Sequence, residues 1–93
     1  MRVVWTATAV RHLGSIQASI EKDKPEAARR VAAALRKAVA YLAAYPHLGR
    51  GGRKPGTREL VIADTPYLVP FTVKGDRLTI LAVLHGAQRR RKM

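Results

Sequence analysis

The sequence predicts an α+β domain in which an N-terminal strand and an antiparallel helix hairpin pack on an antiparallel sheet of about four strands. The first half carries two stretches with apolar residues at spacings of three and four, the period of an amphipathic helix. The last third carries three β-prone segments joined by short turns. The chain has 93 residues, enough for one core, so residues 1–93 are expected to form a single domain.

The N-terminal half is expected to supply one strand and two helices. Arg2–Trp5 is a short β-prone run, and residues 6–22 carry the first helical stripe. A second helix should begin near Pro25, because proline suits a first helical turn, and should end before Pro46. The connection of two or three residues favours an antiparallel hairpin. The apolar positions are Val10, Leu13, Ile16 and Ile20 in the first helix, and Ala28, Val31, Leu35, Ala38, Val39 and Leu42 in the second.

The C-terminal sheet is predicted from alternation and turn residues. After a glycine- and proline-rich loop, residues 57–63 alternate, with Arg58 on one face and Glu59 on the other. The next strand, residues 67–74, contains Pro70, which predicts an edge position or a bulge because proline has no N–H to donate. A turn around Gly75 leads to residues 78–84, which are nearly all apolar and predict one strand buried on both faces.

Charge and cysteine content restrict the function classes. Lysine and arginine total 18 against 6 acidic residues, which gives a net charge of +12. A basic surface solvated by water would explain a small excess, but +12 favours a polyanionic or acidic partner. There is no cysteine, which excludes disulfides, thiolate catalysis and cysteine-based zinc sites, and fits the cytoplasm. No apolar run reaches the ~18 residues of a membrane span, and three dispersed histidines do not predict a metal site.

Two polar residues at strand ends are the candidates for chemistry. His85 could transfer a proton near neutral pH, or its ring could cap the strand end. Arg58 could bind a phosphate through two parallel hydrogen bonds, or form an internal salt bridge or remain solvated. Other cations could line the same rim and bind RNA or phosphate, or form a solvated surface. They are Arg50, Arg53 and Lys54 in the loop, and Arg89, Arg90 and Arg91 in the tail.

A set of residues along nearly the whole chain supports a family resemblance. In order, they are Trp5, Leu13, Ile16, Pro25, Ala27, Ala28, Leu42, Pro46, Gly49, Arg50, Arg58, Glu59, Leu60, Pro66, Tyr67, Val83, Leu84, His85 and Gly86. This combination resembles the RelE/ParE superfamily, the toxins of type II toxin-antitoxin (plasmid stabilisation) modules. The resemblance implies two N-terminal helices on an antiparallel sheet. It also implies a cognate antitoxin, small and acidic or partly disordered, that wraps the toxin with an extended or helical segment.

The resemblance leaves two molecular targets open. RelE-like members are metal-independent, ribosome-dependent mRNA interferases that need no cofactor, and in that case Arg58 and His85 would be catalytic. ParE-like members inhibit DNA gyrase without nuclease activity. The C-terminal Gln-Arg-Arg-Arg segment favours an RNA or ribosome target, so growth arrest by mRNA cleavage is the first expectation and gyrase inhibition the alternative. A nucleic-acid-binding module without catalysis would be a third reading, although Tyr67 and Phe71 are few aromatics for an RNA platform.

Overall fold

The computed structural model describes residues 1–86 as two helices packed against one face of a single sheet. The predicted N-terminal strand, helix hairpin and α+β class are confirmed. The helices are α1 (Ala7–Glu21) and α2 (Pro25–Ala44), followed by a 3-10 turn at Pro46–Leu48. The strands are β1 (Arg2–Trp5), β2 (Arg50–Gly51), β3 (Arg58–Val61), β4 (Tyr67–Lys74), β5 (Arg77–Ile80) and β6 (Leu84–His85).

The helix boundaries follow from local chemistry. The Thr6 hydroxyl caps α1 by accepting a hydrogen bond from the N–H of Ala9. Pro25 occupies the first turn of α2, where a missing N–H costs nothing, and Glu26 lies beside the positive end of the helix dipole. The helix ends at the residues before Pro46, as the restriction on residues that precede proline requires.

The sheet is mixed and has six strands, whereas the sequence predicted an antiparallel sheet of about four. Its order is β1-β5-β4-β3-β2, with β6 beside β4. β1 runs parallel to β5, with Arg2 opposite Arg77 and Trp5 opposite Ile80. Parallel neighbours require a long connection, and here two helices and three strands separate them in the chain. Short turns reveal which strands are antiparallel, but no local signal reveals this pairing.

The strand predicted over residues 78–84 is divided in two, and Pro70 explains why. Strand β4 is central, so of the two predicted alternatives the edge position is wrong. The irregularity is a bulge in the neighbouring segment, where the four steps from Ile80 to Leu84 lie opposite the three from Phe71 to Leu68. The Pro70 carbonyl accepts a hydrogen bond from the Leu81 N–H at 2.9 Å, but proline has no N–H to return. The Leu81 carbonyl instead accepts from the Thr6 hydroxyl at 3.1 Å. The ladder stops there and resumes at Leu84.

Helix α1 also supports the segment between β5 and β6. The N–H of Val83 donates to Nδ1 of His12 at 3.2 Å. Together with Thr6, this side chain provides hydrogen bonds that a continuous strand would have found in the sheet. The sequence assigned no role to His12, and the structure gives it a structural one.

The core lies between the helices and the facing side of the sheet. Its buried residues are aliphatic except for Phe71. Gly49 passes so close to Phe71 that an added Cβ would lie 2.5 Å from its ring. Within residues 1–86, no helix is long and apolar enough to cross a membrane. The core residues are Ala9, Leu35, Val39, Leu42, Ile62, Val69, Phe71, Leu78, Ile80 and Val83.

Candidate functional site

Arg58 is tied to the loop that precedes its strand. It lies in β3 opposite Gly51 of β2 and Phe71 of β4. Its Nη2 donates to the main-chain carbonyls of His47, at 3.1 Å, and of Gly49, at 2.5 Å. The guanidinium therefore fastens the 47–51 segment to the sheet. Neither alternative raised from the sequence, an internal salt bridge or a solvated side chain, describes this contact.

His85 lies at the end of β6 and faces an aromatic ring. It is paired with Tyr67 of β4, and the two rings meet edge to face with centroids 5.6 Å apart. His85 is only partly buried, so part of the residue is accessible to a molecule in solution. The arrangement places an imidazole and a phenol side by side.

Arg58 and His85 lie on opposite sides of β4. Arg58 pairs with Phe71 through β3, whereas His85 pairs with Tyr67 from the other side. Four residues along a strand span about 13 Å, and two strand spacings span about 10 Å. The two Cα atoms are therefore roughly 16 Å apart, and the Arg58 guanidinium points toward the 47–49 segment. The predicted catalytic pair is not brought to one point.

A cavity of about 290 Å³ does bring a loop cation to the β6 strand end. It opens between Arg50 of β2 and Gly86, the residue after His85. Tyr67, the residue that faces His85, also lines the cavity. The basic residue that approaches the end of β6 is therefore Arg50 and not Arg58, which does not line the cavity. The other lining residues are Val61, Thr65, Pro66 and Leu68.

Arg50 is held in place by a buried carboxylate. Glu59 is 4% exposed and lies opposite Arg50 in the β2–β3 pairing. The two form an ion pair with Nη2 and Oε1 3.6 Å apart. The Arg50 side chain itself is 63% exposed. The buried acid therefore holds the guanidinium end of a largely exposed side chain that also lines the cavity.

The remaining predicted cations are less informative. Arg53 and Lys54 lie in the exposed loop between β2 and β3, near Arg58 in the chain but not among the residues that line the cavity. Arg89, Arg90 and Arg91 lie outside the described residues. Among residues 1–86, no cluster of three or more histidine, cysteine, aspartate or glutamate side chains could hold a metal ion.

Sequence reasoning missed two contributors to this site. The sequence offers Tyr67 as a stacking residue and as a family position, but not as a partner of His85. It places Glu59 on the face opposite Arg58 and indicates no role for it. Both depend on cross-strand register, which places Tyr67 beside His85 and Glu59 beside Arg50. Buried glutamates are rare unless paired, but the alternation of one strand does not show which face is covered.

Comparison with known proteins adds family evidence to this geometry. A family model described as "ParE toxin of type II toxin-antitoxin system, parDE" matches residues 3–90. "Putative toxin Y4kP" of Sinorhizobium fredii is 50% identical over 88 residues, which cover 95% of this chain and 91% of that protein. "Toxin RelE2" of Caulobacter vibrioides is 36% identical over 87 residues, which cover 94% of this chain and 97% of that protein.

A solved structure gives the same result for the fold. The structure titled "Chromosomal ParDE TA system from P. aeruginosa" matches with a TM-score of 0.82 and 30% identity. The match covers 91% of this chain and 95% of that one. The helix hairpin and sheet described above are therefore the architecture of that protein as well. From the family match over residues 3–90 and these relatives, the chain belongs to the ParE toxin family of type II toxin-antitoxin systems, within the RelE/ParE superfamily.

Proposed function

We propose that this toxin arrests growth by binding and inhibiting DNA gyrase, without cutting RNA. The observation that carries the proposal is the separation of Arg58 from His85 on opposite sides of β4. General acid–base catalysis requires the proton-transferring group within hydrogen-bond reach of the reacting atoms, with the charge-stabilising cation on the same phosphate. By strand geometry the two Cα atoms are about 16 Å apart, and the Arg58 guanidinium is held at the 47–49 segment, away from the β6 strand end, so the pair does not meet that requirement.

The state of Arg58 supports the same proposal. Its Nη2 donates to two main-chain carbonyls, so the guanidinium already has a structural role in holding the 47–51 segment. A toxin that acts by occupying a surface of its target needs no convergent catalytic groups. Inhibition of gyrase is the activity that the ParE resemblance implies, and the family and fold matches carry the ParE and ParDE names.

A cognate antitoxin is the partner that family membership implies. The net charge of +12 makes an acidic or partly disordered protein the complementary binder, because opposite charge speeds association and neutralises the toxin surface. The antitoxin would be encoded beside the toxin, as in other modules of this type.

A second candidate function is mRNA cleavage at the Arg50 cavity. The favouring observation is that the cavity is lined by Arg50 and Tyr67, and that Tyr67 contacts His85. Arg50 would neutralise the scissile phosphate, and Tyr67 or His85 would transfer protons. The relative named "Toxin RelE2" also makes this candidate worth testing.

Assays with purified components distinguish the two candidate functions. Toxin is added to gyrase with relaxed plasmid and ATP, and separately to programmed ribosomes followed by primer extension on the message. Loss of supercoiling with uncut mRNA supports gyrase inhibition. Cuts at codon spacing with normal supercoiling support the interferase and overturn the proposal.

Matched variants sharpen the ribosome experiment. Tyr67→Phe removes only a hydroxyl, and His85→Ala removes the imidazole, so an interferase at the cavity should lose cleavage with at least one of the two. A gyrase inhibitor should lose no catalytic step with Tyr67→Phe, because no proton passes through that hydroxyl. Toxin premixed with its antitoxin is the control in every reaction. If expression in bacteria causes no arrest, both candidates are wrong and a binding module without toxicity is favoured.

A further inference from the structure

One face of the sheet is left uncovered by the helices, and residues on this face line the Arg50 cavity. Leu60 of β3 packs against the core on the helix side. Side chains alternate along a strand, so Glu59 and Val61, the residues on either side of Leu60, point to the other face. Arg50 lies opposite Glu59 and Leu68 lies opposite Val61, and directly opposed residues share a face. We refer to the surface formed by Arg50, Glu59, Val61 and Leu68 as the outer face.

The Arg50 guanidinium is held in place on the outer face but retains hydrogen-bond donors. Its Nη2 lies 3.6 Å from Oε1 of the buried Glu59, which is longer than a hydrogen bond, so the two groups attract by charge. A guanidinium has five N–H donors in a planar fork. The Arg50 side chain is 63% exposed, so these donors are accessible to a second carboxylate from solution. Because Glu59 already restricts the side chain, Arg50 loses less conformational entropy when it binds a partner.

The walls of the cavity are mainly apolar. Arg50 is the one charged residue among the described residues that line it, and Asp64 in the adjacent turn is not one of them. Val61, a lining residue, is 54% exposed, and Leu68 is buried without being part of the core between helices and sheet. The volume of about 290 Å³ lies just below the range of small-molecule pockets, about 300 to 1,000 Å³. The cavity is therefore suited to one side chain of a partner.

We propose that the Arg50 cavity binds an aspartate or glutamate side chain of gyrase, and that this contact anchors the toxin on its target. The carboxylate accepts charge-assisted hydrogen bonds from the Arg50 guanidinium, and the aliphatic part of the side chain packs on Val61 and Leu68. Interfaces are commonly anchored by a side chain that fills a pocket of the partner. The inference rests on the proposed function, inhibition of gyrase by binding, and identifies the part of the toxin surface that makes the contact.

The cavity fits a protein carboxylate better than a nucleic-acid phosphate. A phosphate backbone carries a charge at every nucleotide and is bound by several cations in succession. The cavity offers one cation, and Glu59 offsets part of its charge. A single carboxylate on an aliphatic stem matches one cation between apolar walls. The exposed Arg53 and Lys54 in the neighbouring loop act at longer range and speed the encounter with an acidic surface.

Opposite charges at Val61 test the inference without disturbing the core. Val61 is more than half exposed, so Val61→Glu and Val61→Lys should both fold. The two new side chains have aliphatic stems and differ chiefly in charge. Glutamate at the cavity repels a carboxylate, whereas lysine adds a second cation for it. Biolayer interferometry on purified gyrase should show at least about tenfold weaker binding for the glutamate variant than for the lysine variant.

Val10 provides the matched control pair for net charge. It is 56% exposed and lies on α1, on the helix side of the protein. Val10→Glu and Val10→Lys change the net charge as the Val61 pair does, and screening by salt should keep their affinities within about twofold of each other. A Val61 ratio no larger than the Val10 ratio overturns the inference. Equal weakening by both Val61 variants also overturns it, because the contact would then depend on shape and not on charge.

Removal of the cation gives a second, independent measurement. Arg50→Ala should bind gyrase at least about tenfold more weakly, chiefly through faster dissociation, because the carboxylate in the cavity loses its partner. Arg36→Ala removes an exposed arginine from α2 and is the control, which should bind as the wild type does. Circular dichroism checks folding, since Arg50→Ala leaves Glu59 without this ion pair. Wild-type affinity in a folded Arg50→Ala protein overturns the inference, and the Val61 comparison decides if that variant does not fold.

The wild-type protein separates this inference from the proposed function. If the wild type inhibits gyrase and both Val61 variants inhibit it equally, the inference is wrong and the proposed function stands. If the wild type neither binds nor inhibits gyrase, the proposed function is wrong and the inference falls with it. If Val61→Glu instead abolishes cuts in ribosome-bound mRNA, the cavity binds RNA, and the inference is overturned in favour of mRNA cleavage.

Discussion

Nδ1 of His12 accepts a hydrogen bond from the main-chain N–H of Val83, which is 71 residues away in the chain. The contact joins α1 to the segment between β5 and β6, at the point where Pro70 interrupts the sheet. An Nδ1 that accepts carries no proton, so its hydrogen lies on Nε2. The strand end that carries His85 is therefore positioned by the helix layer as well as by the sheet.

Replacement of His12 by alanine should destabilise the fold. The Val83 N–H is partly buried and would lose its acceptor, which costs about 1 to 3 kcal/mol of unfolding free energy. Urea denaturation measures the change. His47→Ala, at an exposed histidine, is the control and should shift stability by no more than about 0.5 kcal/mol. Equal midpoints for the two variants would show that the His12 contact contributes nothing.

The Thr6 hydroxyl makes two hydrogen bonds, and a substitution that removes the hydroxyl but keeps the side-chain size measures what they contribute to stability. Its hydroxyl caps α1 through the Ala9 N–H and donates to the Leu81 carbonyl. Thr6→Val keeps the shape but loses both hydrogen bonds, so we expect a loss of about 1 to 2 kcal/mol. Thr6→Ser keeps the hydroxyl and should retain most of the stability. Thermal melts of the two variants make the comparison, and a serine variant as unstable as the valine one would contradict it.

Gly49 should not tolerate a side chain. An added Cβ would lie 2.5 Å from the Phe71 ring, so Gly49→Ala forces the core residue or the loop to move. Overpacking of this kind costs about 1 to 3 kcal/mol. Gly51→Ala is a close control, because its Cβ would meet no atom within 4 Å. Chemical denaturation of both variants should separate them, and a Gly49→Ala protein as stable as Gly51→Ala would argue against the close approach.

Arg58 should contribute first to loop order. Arg58→Ala removes the Nη2 contacts with the His47 and Gly49 carbonyls, and hydrogen bonds to a charged group contribute about 1.5 to 3 kcal/mol. Hydrogen exchange of the 47–51 amides should accelerate more than exchange in α1. Arg77→Ala removes an exposed arginine from β5 and is the control. Unchanged exchange at 47–51 would leave phosphate binding as the remaining role for Arg58.

The sequence predicted the helix hairpin and the segments of the sheet well, because their signals are local. Pro25 and Pro46 delimit α2 through the geometry of their own backbone, and the apolar stripe of α2 identifies the face that is buried. The net charge and the family resemblance led to a toxin with an acidic partner, and the toxin family is confirmed.

The sequence identified candidate residues for the site but could not predict which of them lie together. His85 and Arg58 were grouped because both lie at strand ends, but strand order places them on opposite sides of β4. The cavity instead brings Arg50 toward Tyr67 and Gly86, which requires three strand pairings at once, β2 with β3, β3 with β4 and β4 with β6.

The sequence by itself determined the two helices with their limits, the β-prone segments and the net charge, since each depends on neighbouring residues or on composition. Only the tertiary structure decided the parallel pairing of β1 with β5, the break after Ile80 and the partners of Arg58. These depend on contacts between residues far apart in the chain, such as Thr6 with Leu81. No local pattern records such contacts, because the backbone groups involved are the same in every residue but proline.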